Sequence, residues 1–145
     1  MMAGMIVVMA VIDVRMLDES ELRDAYGVFL AALHFPPVRD DHWAYTRQSL
    51  VASSTWGAFD SGRLVGTANA FRSGLALPGG GVIPMTAVTR VGVRADHVRR
   101  GALTGLMRAH LERSAESGDT VAGLHASEAV IYGRFGYGVA TTGRA

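Results

Sequence analysis

The sequence predicts an α+β (α/β) fold, a mixed and mostly antiparallel central sheet flanked by helices. Three features predict it. Apolar residues recur at helical spacing in two stretches: Leu22, Ala25, Tyr26, Phe29, Leu30 and Leu33, then Leu103, Leu106, Met107 and Leu111. The chain between them reads as successive strands separated by Gly-bearing turns. After the second helix come a short apolar strand and a final helix, so an antiparallel series ends in a βαβα run.

The elements follow in order. Residues 6–16 form the first strand, with Val7, Val8, Val11 and Ile12 among its apolar positions. Asp18 and Glu21 make a capping box, each side chain satisfying a backbone N–H that a first helical turn leaves unpaired. Pro36 and Pro37 stop the helix that follows. Residues 41–50 are a short, polar helical stretch. Strands over 55–59 and 63–71 join at Asp60-Ser61-Gly62, a hairpin signal. Pro78 and Gly79 to Gly81 turn the chain into a strand over 82–93. Pro84 puts the start of that strand at an edge or bulge, since it cannot donate to a ladder. A basic loop, Val98-Arg99-Arg100-Gly101, leads into the second long helix, which ends at Gly118. Residues 120–125 form a short buried strand. Ser127 caps a last short helix through Phe135, with Glu128 in its first turn. Gly136-Tyr137-Gly138 then turns the chain toward a further strand.

Composition narrows the function. At 145 residues with 49% apolar content, the chain is one domain, residues 1–145, with a core to bury and no linker or repeat. Cysteine is absent, which excludes disulfides, thiol redox chemistry and Cys-ligated zinc. A formal net charge of +1 argues against nucleic-acid binding by phosphate neutralisation. Met1 to Ile12 is apolar, but it is far shorter than the roughly 20 residues of a membrane span, and no basic region precedes it. A soluble, cytoplasmic protein is expected. His34, His42, His97, His110 and His125 include no pair at i, i+4 spacing, so no metal site is expected.

The chemistry concentrates after residue 90. A helix start presents unpaired N–H groups and the positive end of the helix dipole. Gly101 lets a phosphate approach the backbone, Arg99 and Arg100 add fork-shaped donors, and Thr104 adds a hydroxyl. Read on its own, the loop is either an anion site or a solvated basic turn. Tyr132 on its own is either a proton donor or a packing tyrosine, and His125 either a base or a structural histidine. Trp43, Trp56 and Phe71 suit an amine pocket or the core. Asp40 and Asp41 suit a cationic amine or a solvated turn.

Val91-Gly92-Val93 with Arg99-Arg100-Gly101-Ala102 resembles the acetyl-CoA pyrophosphate motif of GNAT acyltransferases. His125-Ala126-Ser127-Glu128, followed by Ile131-Tyr132-Gly133-Arg134-Phe135-Gly136-Tyr137-Gly138, resembles the N-terminal acetyltransferase domain of the Eis (enhanced intracellular survival) family. One departure is Val98, where the GNAT loop usually carries Arg or Gln. The resemblance implies a GNAT-like acyl-CoA N-acyltransferase fold and acetyl-CoA as the acyl donor. It implies that Val91, Gly92 and Val93 bond the pantetheine arm through backbone groups, and that Arg99, Arg100, Gly101, Ala102, Leu103 and Thr104 cradle the pyrophosphate. Ser127 and Glu128 would line the far side of the cofactor. Tyr132 matches the family's proton donor, which protonates the thiolate released when an amine attacks the thioester. The acceptor would be a primary amine on a cationic small molecule, aminoglycoside-like. The family's base is the C-terminal carboxylate of a much longer chain, so a C-terminally truncated domain is expected; its sheet would expose an edge that pairs with another chain, so a homo-oligomer is expected. Two alternatives stay open: a non-catalytic acyl-CoA-binding module, and a remnant that needs further domains for activity.

Overall fold

The computed structural model describes residues 2–6 and 11–143. A five-stranded sheet of order β1-β2-β3-β4-β5 forms its centre. Its strands are β1 (Ile12–Met16), β2 (Ser54–Asp60), β3 (Arg63–Ala76), β4 (Val82–Val93) and β5 (Val121–Leu124). β1 to β4 pair antiparallel and β5 joins β4 in parallel, the mixed sheet expected. The first strand begins at Ile12 rather than Ile6; Val7 and Val8 lie outside the described residues. β3 runs to Ala76, past the Phe71 expected, because Phe71 to Ala76 stay in register with Ala87 to Val82. Pro84 lies opposite Gly74, one residue before β5 begins to pair with β4, so its missing N–H breaks no bond on that side.

The helices are α1 (Leu22–Ala32), α2 (Asp40–Val51) and α3 (Ala102–Glu116). The Asp18–Glu21 capping box is present: Asp18 accepts from the Ser20 N–H and Glu21 accepts from the Asp18 N–H, both at 3.0 Å. It opens a 3-10 turn, Glu19–Glu21, that runs straight into α1. α1 buries Leu22, Ala25 and Val28; Tyr26, Phe29 and Leu30 are half-buried and Leu33 is exposed. The stripe stops early because the helix ends at Ala32 and His34 turns left-handed at φ 60°. Close approach of α1 to the sheet requires Gly92. A Cβ there would meet the Phe29 Cα at 3.1 Å and the Ala32 Cβ at 3.0 Å.

α3 covers the opposite face. Ala102 and Leu106 pack with Trp56, Ala58, Val65, Ala68 and Ala70, and Val14, Val91 and Val93 close on this cluster. The many alanines allow tight seating; a Cβ on Gly105 would lie 2.8 Å from Val14 Cγ2. The buried stripe of α3 is Ala102, Leu106, Met107, His110 and Ser114. Leu103 and Leu111 are half-buried beside it, a correction to the predicted face. The i, i+4 ridge from Ala102 runs through a histidine, which an apolar count passes over.

The C-terminal third departs further from expectation. β5 is half-buried rather than buried, because it is an edge strand of four residues. A 3-10 helix, Ala129–Phe135, follows it. Ser127 does not cap this helix: Glu128 occupies the capping position, without a side-chain bond. Gly136, left-handed at φ 93°, ends the helix, and residues 137–143 form no strand. Tyr137 turns inward there instead of extending.

Candidate active site

β4 leaves β5 halfway along its length. Pairing runs from Met85↔Val121 to Val88↔Leu124 and stops, while β4 continues to Val93. The parting coincides with a bulge. Thr89 faces Asn69 and Gly92 faces Thr67, so Arg90 and Val91 together oppose Ala68. Arg90 takes the extra place with φ 49°, a left-handed conformation that a non-glycine residue holds only where its surroundings fix it. The bulge turns the Arg90 side chain to the α2 side, where it donates to Ser49 Oγ at 3.1 Å and Asn69 Oδ1 at 3.4 Å. Asn69, 1% exposed, in turn donates to Ser53, Ser54 and Thr55. Past the bulge, the Arg94 N–H bonds Val65 O on β3 at 2.8 Å. Strand alternation therefore turns the N–H groups of Val91 and Val93 the other way, onto the free edge.

The free edge leads to the N-terminus of α3. Arg99, at φ 61°, and Gly101, at φ 89°, are both left-handed. Gly101 caps α3 with no side-chain bond, and no acidic residue stands in the first turn. The Gly105 N–H makes the first helical bond, to Gly101 O at 3.0 Å. The N–H groups of Ala102, Leu103 and Thr104 therefore have no helical partner. Arg99, Arg100 and Gly101 are exposed, Ala102 is buried, and Leu103 and Thr104 are half-buried. A Cβ on Gly101 would meet nothing within 4 Å, so the space in front of the helix is open.

Tyr132 is half-buried in the 3-10 helix after β5. Burial and then the Glu128 carboxylate push its phenol above the usual tyrosine range, so it is protonated at neutral pH. Ser127 and Glu128 lie exposed between β5 and this helix. The Tyr137 ring meets Tyr132 edge to face, with centroids 6.1 Å apart and planes at 73°. Tyr137 Oη lies 3.3 Å from His110 Nε2 on α3. Burial pushes Tyr137 up to about 12 and His110 down to about 4, so this pair is neutral. Sequence reasoning missed both residues as site neighbours. The available signal was the place of His110 four residues after Leu106, on a buried ridge.

Other candidates resolve differently. Trp56 is 7% exposed within the core, while Phe71 is exposed on the far part of β3. Trp43 stacks at a tilt on Tyr26. Asp40 and Asp41 are engaged by Arg23 and Arg39, which occupies the acidic patch considered for an amine. His125 is exposed. A cavity of about 170 Å³ lies between Met16, Leu22, Leu50 and Thr55, away from the free β4 edge.

Residues 13–140 match the family model described as acetyltransferase (GNAT) domain. The chain belongs to the GNAT acetyltransferase family. An uncharacterised N-acetyltransferase of Streptomyces avermitilis is 42% identical over 131 residues, 90% of this chain and 31% of that protein. N-acetyltransferase Eis of Mycobacterium bovis is 46% identical over 86 residues, 59% of this chain and 21% of that protein. The crystal structure of Eis1 from Mycobacterium abscessus superposes with a TM-score of 0.78 at 42% identity, covering 90% of this chain and 32% of that one. The Eis resemblance drawn from the sequence holds. The GNAT domain here spans under a third of the Streptomyces relative and of Eis1. Aminoglycoside N-acetyltransferase AAC(6')-Iy, solved with CoA, shares the GNAT fold alone, with a TM-score of 0.76 at 16% identity over 97% of this chain and 95% of that one.

The residues present fit the acetyl-CoA that GNAT folds use. A diphosphate needs several N–H donors, positive charge, and no Cβ or carboxylate in its path. The first turn of α3 behind Gly101 meets each requirement. An amide-bearing arm needs a strand edge with unpaired N–H and C=O groups, and β4 past Val88 supplies one.

Proposed function

We propose that residues 1–145 form one acetyltransferase domain that binds acetyl-CoA where β4 and β5 part, and acetylates a primary amine. The observation that carries this reading is the unpaired β4 edge leading into the open, uncapped N-terminus of α3. Bound there, acetyl-CoA supplies a thioester-activated acetyl group. Val91, Gly92 and Val93 hold the pantetheine arm through strand backbone. The Val93 N–H, on the free edge, polarises the acetyl carbonyl. Arg99, Arg100, Gly101, Ala102, Leu103 and Thr104 hold the pyrophosphate. Ser127 and Glu128 line the other side. Tyr132, protonated at neutral pH, donates its proton from Oη to the sulfur as it departs.

The acceptor in this reading is a cationic, aminoglycoside-like amine; the support is the likeness to the proteins named above. The domain acts in the cytoplasm and within a homo-oligomer. In support, no helix among the described residues is long and apolar enough to cross a membrane. The outer edge of β5 has no partner strand among the described residues, which leaves a surface for a second chain. A thiol-release assay with acetyl-CoA over a panel of polyamines and aminoglycosides tests the reading. Amine-dependent release of CoA thiol supports it. CoA binding without release for any amine would instead make the domain an acyl-CoA-binding module.

A further inference from the structure

The loop that enters α3 carries strain, and something must hold it. Arg99 is a non-glycine residue in the left-handed region, two residues before a second left-handed turn at Gly101. Such backbone persists only where flanking contacts over-determine it. Downstream, Ala102 is 2% exposed and packed in the core, which fixes the helix end. Upstream, the fixed point is His97. Its residue is 8% exposed, and both ring nitrogens are engaged. Nε2 lies 3.0 Å from Asp60 Oδ2, and Nδ1 lies 2.8 Å from Asp96 Oδ1. Carboxylates only accept, so the ring nitrogen that carries the proton donates to the carboxylate it faces. The bond from His97 is the first cause holding the Asp96 carboxyl below its usual range.

These contacts join distant parts of the chain. Asp60 closes β2 at the β2–β3 turn, 37 residues before His97. Arg63, at the start of β3, reaches Asp96 at 3.4 Å. Arg94 bonds Val65 O through its N–H and Leu64 O through its Nε–H. The segment from Arg94 to His97 is therefore tied to the β2–β3 hairpin at several points. Only Val98 separates the last tie from the strained Arg99.

We propose that His97, clamped between Asp60 and Asp96, is a positioning residue that holds the Arg99–Gly101 loop in its phosphate-ready shape. It acts through the loop and touches no ligand itself. Released from the clamp, Arg99 relaxes toward ordinary backbone angles, and the N–H groups ahead of α3 no longer converge. This inference rests on reading the loop as the pyrophosphate site.

The experiment compares CoA with pantetheine, which has the arm but no pyrophosphate. Calorimetry gives CoA affinity and NMR shift perturbation gives pantetheine affinity, for the whole chain and for His97→Leu, Asp60→Ala and Asp96→Asn. Expected is a loss of about tenfold or more in CoA affinity for the first two, and a smaller loss for the third, whose amide oxygen still accepts. Pantetheine affinity should stay within twofold in all three. Unchanged CoA affinity in the variants would overturn the clamp and leave the cofactor reading standing. Equal losses for CoA and pantetheine would show general loosening, and would also overturn it. No CoA binding by the unaltered chain would remove the cofactor reading and the clamp together. Should His97→Leu fail to fold, the milder Asp96→Asn, at an exposed carboxylate, decides on the same readout.

Discussion

Tyr132 and His110 show how burial sets the chemistry of single side chains. A phenol held above its ordinary range keeps its proton at neutral pH, so Tyr132 carries one to give when the thiolate departs. Tyr132→Phe keeps the ring against Tyr137 and removes only the donor. Turnover should fall about 10²-fold or more, while CoA affinity stays within a few-fold. Steady-state kinetics beside calorimetry separates the two. Normal turnover in the variant would make Tyr132 a packing residue. His110 gives a pH signature. An unfolded imidazole titrates near 6.5, and this one only near about 4, so on acidification the unfolded chain takes up a proton first. Stability should therefore fall as pH drops below about 6.5, by up to about 3 kcal/mol when pH reaches about 4. Urea unfolding of wild type and His110→Gln across that range checks it. The variant should lack this part of the slope; equal slopes would show that His110 titrates normally in the fold.

At the scale of elements, much was legible because it is local. The Asp18–Glu21 box and the Asp60-Ser61-Gly62 turn each follow from a few neighbouring residues. Tertiary packing decided the rest. Val28 rather than Leu33 faces the sheet, because α1 ends at Ala32. His110 and Ser114 sit on the buried face of α3, where an apolar pattern gives polar residues no weight. Ser127 fails as a cap because the 3-10 helix begins only at Ala129, which puts Glu128 in the capping position. Two element-scale tests follow. Gly92→Ala drives a methyl against the Phe29 backbone and should cost about 1–3 kcal/mol in denaturant unfolding, since α1 must shift as a body. A neutral result would mean that α1 sits more loosely on β4. Asp18→Ala removes the cap at the entry to α1 and should cost about 1 kcal/mol by the same measurement.

For the whole molecule, the decisive feature is where the sheet comes apart. The mixed, mostly antiparallel pairing was legible from the turns and the final βαβα run, and the basic loop from its Arg99-Arg100-Gly101 sequence; the order of the strands in the sheet was not. The bulge was not legible, since nothing in Thr89-Arg90-Val91 marks Arg90 for a left-handed conformation. Nor was the length of β4 left bare beyond Leu124, which depends on where β5 stops. These two facts create the opening beside the α3 N-terminus. The proposed activity requires that opening to receive CoA, with the pyrophosphate in front of Gly101. Calorimetric titration of CoA into the chain and into Gly101→Glu and Gly101→Ala tests this most directly. The open space at Gly101 lets either side chain fit, although its φ of 89° strains both. Expected are saturable binding by the unaltered chain, a partial loss in Gly101→Ala from backbone strain, and no detectable binding in Gly101→Glu, whose carboxylate enters the phosphate position. No binding by the unaltered chain, or equal affinity in Gly101→Glu, would contradict it.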